Sequence, residues 1–317
     1  MLTLKQVEQA KHDHEQVDSK DLFCSFLQNV ATNGSLQNNT AAVDRLLAGC
    51  DVEPRPYQRR IVDTAIKMYA GMWKGMDGAT LRPANSVLVE SPTGSGKTVM
   101  GLAIASIMQQ ATGCRVGWVA MRRNLLAQAA AENASRRFGV EMTTVSMFEK
   151  NPPEVDLLVV DEAQHDAATS MANLHSTIQP RWTLGLSATP YRTDRIKLCF
   201  DQVIRDAGIA QLIADGYLSP YHHFTVPKYS PETVARLLID EPDRWGQSLV
   251  FFHRREQCDQ LATLLKQADV SCDVVTAATN RERQLDAFEQ GQTRVLINMA
   301  ILTEGFDCPQ LKTVFVR

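Results

Sequence analysis

No apolar run in the 317-residue chain approaches the roughly 18–20 residues needed to cross a bilayer. The start, MLTLKQVEQAKHDHEQ, has neither the apolar stretch nor the small-residue cleavage site of a secretory signal. No C-x-x-C pair occurs, and the seven cysteines (24, 50, 114, 199, 258, 272 and 308) are odd in number and irregularly spaced. That pattern argues against a disulfide framework or a zinc site and for reduced thiols in a reducing compartment. Charge of neither sign dominates: 33 Lys and Arg face 36 Asp and Glu, a net charge of −3. A whole-protein attraction to nucleic acid is thereby excluded, and any such contact must be a local groove. Repeats and low-complexity tracts are also missing. These absences lead us to expect a cytoplasmic protein with no membrane association.

What is present is ordinary globular material, 44% apolar and 22% charged, and enough of it for two domains. Residues 1–50 are polar, with NGSLQNNT at 33–40 reading as a loop between short helical patterns, and they are expected to form an N-terminal helical extension. A helix is expected after Tyr57, since Ile61, Ala65, Met68 and Met72 recur at helical spacing. Short apolar runs then alternate with amphipathic ones: SVLVE at 86–90, RVGWVA at 115–120, DLLVV at 156–160 and WTLGLSA at 182–188. Strands apolar on both faces and joined by helices specify a parallel sheet covered on both sides. After a polar, Pro-containing stretch the pattern resumes with strands at 248–253, 272–275, 294–300 and 313–316, and helices at 254–268 and 281–290. The expectation is two tandem α/β domains, residues 51–205 and 246–317, joined by a linker at 206–245.

Two motifs carry chemistry. SPTGSGKT at 91–98 follows an expected strand and opens an expected helix, the context a phosphate-binding loop requires. Gly94 and Gly96 let successive N–H groups face one point, and the helix N-terminus adds positive charge there. Lys97 can reach the β and γ phosphates of a nucleotide, and Thr98 can offer a hydroxyl to Mg²⁺. Thr93 and Ser95 complete the loop. Ser91 stands where the general G-x-x-x-x-G-K-[ST] pattern has its first glycine. LLVVDEAQH at 157–165 sets two carboxylates at the end of a buried strand, where open parallel sheets place their ligands. Asp161 suits Mg²⁺, and Glu162 suits deprotonation of a water attacking the γ-phosphate. Gln164 and His165 follow on the same loop.

Taken together these segments resemble the superfamily-2 DEAD/DEAH-box helicases, over nearly everything from Arg55 to Arg317. DEAQ resembles the DEAD/DEAH box. SATP at 187–190 resembles the motif that couples hydrolysis to movement, with Ser187 and Thr189 as its hydroxyls, and RPYQ at 55–58 resembles the motif whose glutamine, here Gln58, reads adenine. MRRNLLAQ at 121–128 is similar to a strand-tracking motif through Arg122, Arg123 and Gln128, with family proline and threonine replaced by Met121 and Arg122. TTVSMF at 143–148, with Thr144, resembles the next such segment. In the second half, 249–265 and 295–311 resemble motifs of the second RecA-like domain. The resemblance there implies His253 and Thr303 at nucleic acid and Gly305 and Asp307 at the nucleotide. GYLSP at 216–220 together with TEGFDCP at 303–309 is most similar to DNA helicases related to restriction-enzyme motor subunits.

The resemblance implies two RecA-like domains, ATP and Mg²⁺ as cofactors, and DNA in preference to RNA as partner. The family's Q-x-x-G-R-x-x-R arginine motif does not occur in residues 1–317. That gap leads us to expect an incomplete second domain, with a protein partner that completes or caps it: either a fragment of a longer helicase or a natural short form that turns ATP over slowly. The alternatives to a DNA helicase or translocase are an RNA helicase and a nucleotide-gated binding module with weak ATPase. Phe252, Cys258, Cys308, Trp182 and Trp245 read as packing residues, not as stacking or reactive groups.

Overall fold

A computed structural model describes residues 43–44, 47–74, 82–121, 123–165, 169–189, 200–276, 278–299 and 308–316. The chain divides into two compact units, Met1–Pro220 and Tyr221–Arg317. In the first, six strands form one parallel sheet: β1 (Ser86–Glu90), β2 (Val116–Ala120), β3 (Met142–Ser146), β4 (Leu157–Asp161), β5 (Trp182–Ser187) and β6 (Gln202–Arg205). Their order is β3-β2-β4-β5-β1-β6. Every residue of β2 and β4 is buried, as strands covered on both faces require.

Helices α1 (Pro56–Ala70), α2 (Lys97–Thr112), α3 (Arg123–Ser135), α4 (Thr169–Ile178) and α5 (Ile209–Ala214) accompany the sheet. Pro56 opens α1 where its missing N–H costs nothing, and Gly71 closes it in the left-handed region at φ 67°. Residues 100–108 of α2 are all buried, so this stretch is covered around its whole circumference and central to the unit. Gly101 lets it lie close to the sheet: a Cβ there would sit 2.7 Å from Leu186 Cδ1 and 3.0 Å from Trp118 Cη2. That contact fixes the height of α2, and with it Lys97 at the start of the helix.

The second unit holds a parallel sheet of β7 (Ser248–Phe251), β8 (Cys272–Val275), β9 (Val295–Asn298) and β10 (Thr313–Phe315), ordered β10-β7-β9-β8 among the described residues. Helices α6 (Pro231–Asp240), α7 (Pro242–Trp245), α8 (Arg255–Gln267) and α9 (Arg281–Glu289) belong to it. Its main core joins Val234 and Leu238 of α6 to Val250, Phe252, Leu261, Leu265 and Ile297. Phe252, Cys258, Cys308, Trp182 and Trp245 are all buried.

The segment 206–245, expected as a linker, is divided between the units. Leu212 of α5 is buried in the first core, while α6, capped by Ser230 with Pro231 behind it, packs in the second. Polar loop signals hid these short helices, whose apolar faces are only a few residues wide. The expected N-terminal extension mostly lies outside the described residues, but Val43 and Leu47 are buried in the first core. No helix among the described residues is long and apolar enough to cross a membrane.

Candidate functional site

Three loops meet because of strand order. β5 lies between β4 and β1, with Asp161 paired to Leu186 and Glu90 paired to Ser187. The phosphate loop, the carboxylate pair and the Ser187 segment therefore leave adjacent strands at one sheet edge. With neighbouring strands ~4.8 Å apart, β1 and β4 end about 10 Å from each other.

The phosphate loop turns through two left-handed glycines, Gly94 at φ 79° and Gly96 at φ 81°. Space as well as conformation requires Gly96, because a Cβ would fall 2.6 Å from Gln58 Nε2. The loop is tied from behind. Ser91 and Ser95, both buried, share a hydroxyl–hydroxyl bond of 2.8 Å, so the serine in the first-glycine position braces the turn. The Ser95 carbonyl accepts from Tyr57 Oη at 2.6 Å and from Gln58 Nε2 at 2.9 Å. Gln58 Oε1 in turn accepts from Arg55 N at 2.9 Å. Arg55 lies over the Tyr217 ring at 5.2 Å and donates to the Tyr217 carbonyl at 3.3 Å. Leu218 approaches Gly94, so GYLSP forms a wall of the loop. Sequence reasoning missed these tertiary ties, although RPYQ and GYLSP both signalled that the segments matter. An open cleft of about 560 Å³ adjoins the loop, bounded by Thr93, Thr189, Arg205, Gly208, Ile209 and Leu218.

Lys97 is buried as the first residue of α2, and Thr98 follows it half-buried. The buried Asp161 carboxyl is pushed up to about 6 by burial and by the neighbouring Glu162 charge, with Lys97 and the Glu162 N–H pulling the other way. The Glu162 N–H donates to Asp161 Oδ1 at 3.0 Å, and Glu162 takes a left-handed φ of 53°. Gln164 Nε2 donates to Glu162 Oε2 at 2.8 Å. The Ser187 hydroxyl lies 2.6 Å from Gln164 Oε1 and 2.7 Å from the Thr189 carbonyl, one proton serving either acceptor, and it accepts from Thr189 N at 3.0 Å. Glu162, Gln164, Ser187 and Thr189 thus form one chain of contacts.

Of the residues assigned to nucleic acid, Arg123 is exposed at the start of α3, Thr144 is exposed on β3 and His253 is exposed just after β7. Arg122, Thr303, Gly305 and Asp307 lie outside the described residues. The His165 side chain likewise lies outside the described part of the structure.

The residues present fit a nucleotide and a divalent cation. Two left-handed glycines aim backbone amides at one point, and a buried lysine stands at that helix start. A desolvated carboxyl raised toward neutrality beside a second carboxylate is an environment that a cation would relieve.

A strand–glycine-rich loop–helix unit with a carboxylate pair on the next strand but one is the arrangement of a RecA-like domain. Residues 51–151 match the family profile "Type III restriction enzyme, res subunit", and residues 230–316 match "Helicase conserved C-terminal domain". A "51.5 kDa protein" of a Lactococcus phage is 26% identical over 263 residues, covering 70% of this chain and 56% of the relative. The solved DEAD-box helicase Mss116 bound to ssRNA and UDP-BeF shares the fold at a TM-score of 0.55 and 14% identity, over 91% of this chain and 68% of that one. The Type ISP restriction-modification enzyme LlaBIII bound to DNA does so at 0.53 and 13%, over 83% of this chain and 25% of that one. The two profiles together span more than half of the chain and place it among the superfamily-2 helicases related to restriction-enzyme motor subunits. It spans about half the length, or less, of the curated relatives it matches.

Proposed function

We propose that this chain is an ATP-dependent DNA translocase or helicase, in which hydrolysis at the first unit drives movement along a strand. The observation that carries the reading is the meeting of the phosphate loop, the Asp161–Glu162 pair and the Gln164–Ser187 link at the ends of three adjacent strands. The choice of DNA is supported by the restriction-enzyme profile matched over residues 51–151.

ATP, when bound, would supply the phosphoanhydride bond, and Mg²⁺ would screen its charge. The amides of residues 93–98 and Lys97 would hold phosphate oxygens, and Thr98 with Asp161 would hold the metal. Gln58 already braces the loop, and its carboxamide has a second N–H and a second lone pair with which to read an adenine edge. Glu162 accepts a proton from the attacking water, while the Gln164 N–H holds its carboxylate in place. Ser187 and Thr189, in contact with Gln164, carry the state of that carboxylate toward the rest of the unit. Gly305 and Asp307 are proposed to serve the nucleotide, and Arg122, Arg123, Thr144, His253 and Thr303 to meet nucleic acid.

The test is an ATPase assay on the 317-residue chain with single-stranded DNA, RNA or neither. DNA-stimulated hydrolysis is expected, lost in both Lys97→Ala and Glu162→Gln, with nucleotide binding retained only in the latter. Stimulation by RNA alone would overturn the choice of polymer, and unchanged hydrolysis in Glu162→Gln would remove Glu162 as the base.

A further inference from the structure

Two apolar side chains stand in solvent at the edge of the sheet that carries the site. Phe148 is 66% exposed and Met121 is 41% exposed. They leave adjacent parallel strands just past the last paired position, Ala120 opposite Ser146. At strand spacings of ~4.8 Å and rises of ~3.3 Å per residue, their backbones lie within about 10 Å. Met121 also lines a crevice with Met147, Asp161 and Glu162, so this edge continues into the catalytic one.

The turn bearing Phe148 is built. Ser146 Oγ accepts from Phe148 N at 3.3 Å, and Ser146 O accepts from Glu149 N at 2.9 Å. The Glu149 carboxylate is directed into its own loop, with Oε1 accepting from Lys150 N at 3.0 Å and Asn151 N at 3.3 Å. The carboxylate next to Phe148 in sequence is thus engaged by backbone, while Arg123 and Lys150 are exposed. An exposed aromatic ring, an exposed thioether at the end of the adjacent strand, and a cation two residues further along each chain segment match one partner chemistry: an unstacked nucleobase whose phosphates meet the cations.

We propose that Phe148, flanked by Met121, is a stacking platform for a base of single-stranded nucleic acid, with Arg123 and Lys150 at the adjoining phosphates. This rests on the nucleic-acid reading above and adds that recognition here is of bases, in a strand that is already unpaired. The experiment measures binding of the full chain to a labelled oligothymidylate and to a strand of equal length made of abasic sugar-phosphate units. In Phe148→Ala the base-bearing strand is expected to bind roughly 5- to 150-fold more weakly, the range for one lost stacking contact, with abasic binding unchanged. Phe148→Trp is expected to restore tight binding, and thermal melts are expected to match, because the ring is exposed. Equal binding of oligothymidylate by wild type and Phe148→Ala, or an equal loss on the abasic strand, overturns the platform while leaving the nucleic-acid reading intact. Failure of the wild-type chain to bind either strand overturns both.

Discussion

The Ser187 hydroxyl lies 2.6 Å from Gln164 Oε1, joining the end of β5 to the loop that follows β4. Because the other end of the same carboxamide holds Glu162, one side chain links the proposed base to the segment assigned to coupling. Gln164→Ala breaks both contacts without a charge change. We expect nucleotide affinity to persist while turnover falls about tenfold, the rate equivalent of a lost hydrogen bond of ~1–1.5 kcal/mol. Steady-state ATPase measurements with nucleotide titrations separate the two effects, and parallel losses in both would contradict this role.

The hydroxyl pair Ser91–Ser95 explains why serine serves in the first-glycine position. Ser91→Gly restores the general pattern yet leaves the buried Ser95 hydroxyl without that partner. It is expected to lower stability by ~1 kcal/mol and to weaken nucleotide binding several-fold. Chemical denaturation and nucleotide titration check this, and tighter binding in the glycine variant would refute it.

Two donors converge on the Ser95 carbonyl, from Tyr57 and Gln58. Tyr57→Phe removes one hydroxyl and no ring packing, so a loss of about 1 kcal/mol is expected. The combined Tyr57→Phe and Gln58→Ala variant should be non-additive, since both act on one acceptor. A double-mutant cycle by denaturation gives the coupling directly, and strict additivity would show that the two donors act independently.

Asp161 gives a pH-dependent stability of calculable sign. Its folded value near 6 exceeds the ordinary 3.8, so the folded state holds the proton more tightly. The ionised group destabilises the metal-free protein at high pH, and that cost fades as pH falls through 6 toward 3.8. Asp161→Asn should stabilise the metal-free chain by ~1–3 kcal/mol at pH 8 while abolishing metal-dependent hydrolysis. The gain should shrink toward zero near pH 4. Melts in chelator across that range decide it, and a gain that grows on acidification would reverse the assignment.

What could be read from the chain depended on how much apolar surface each element carries. Strands β1, β2, β4 and β5 stand out as apolar runs because helices cover both of their faces. β3 buries only Val145 fully, and β6 only Ile204, so neither reads as a strand. The phosphate loop and carboxylate pair were legible because each is contiguous in sequence. The groups that brace them were not: Gln58 and Ser95 are 37 residues apart, and Arg55 and Tyr217 are 162 apart, brought together only by packing. Likewise α6 has a serine cap and a first-turn proline, but its polar surroundings read as linker.

The position of β5 between β1 and β4 has a consequence for how the protein matures. During synthesis the loop at 91–98 and the acids at 161–162 emerge before the strand that must separate them. Residues 182–187 supply the pairing partner on both sides, β1 and β4, so the gap between those strands is filled only by a later part of the chain. The three loops of the candidate site can therefore come into register only once residue 187 has been added to the chain.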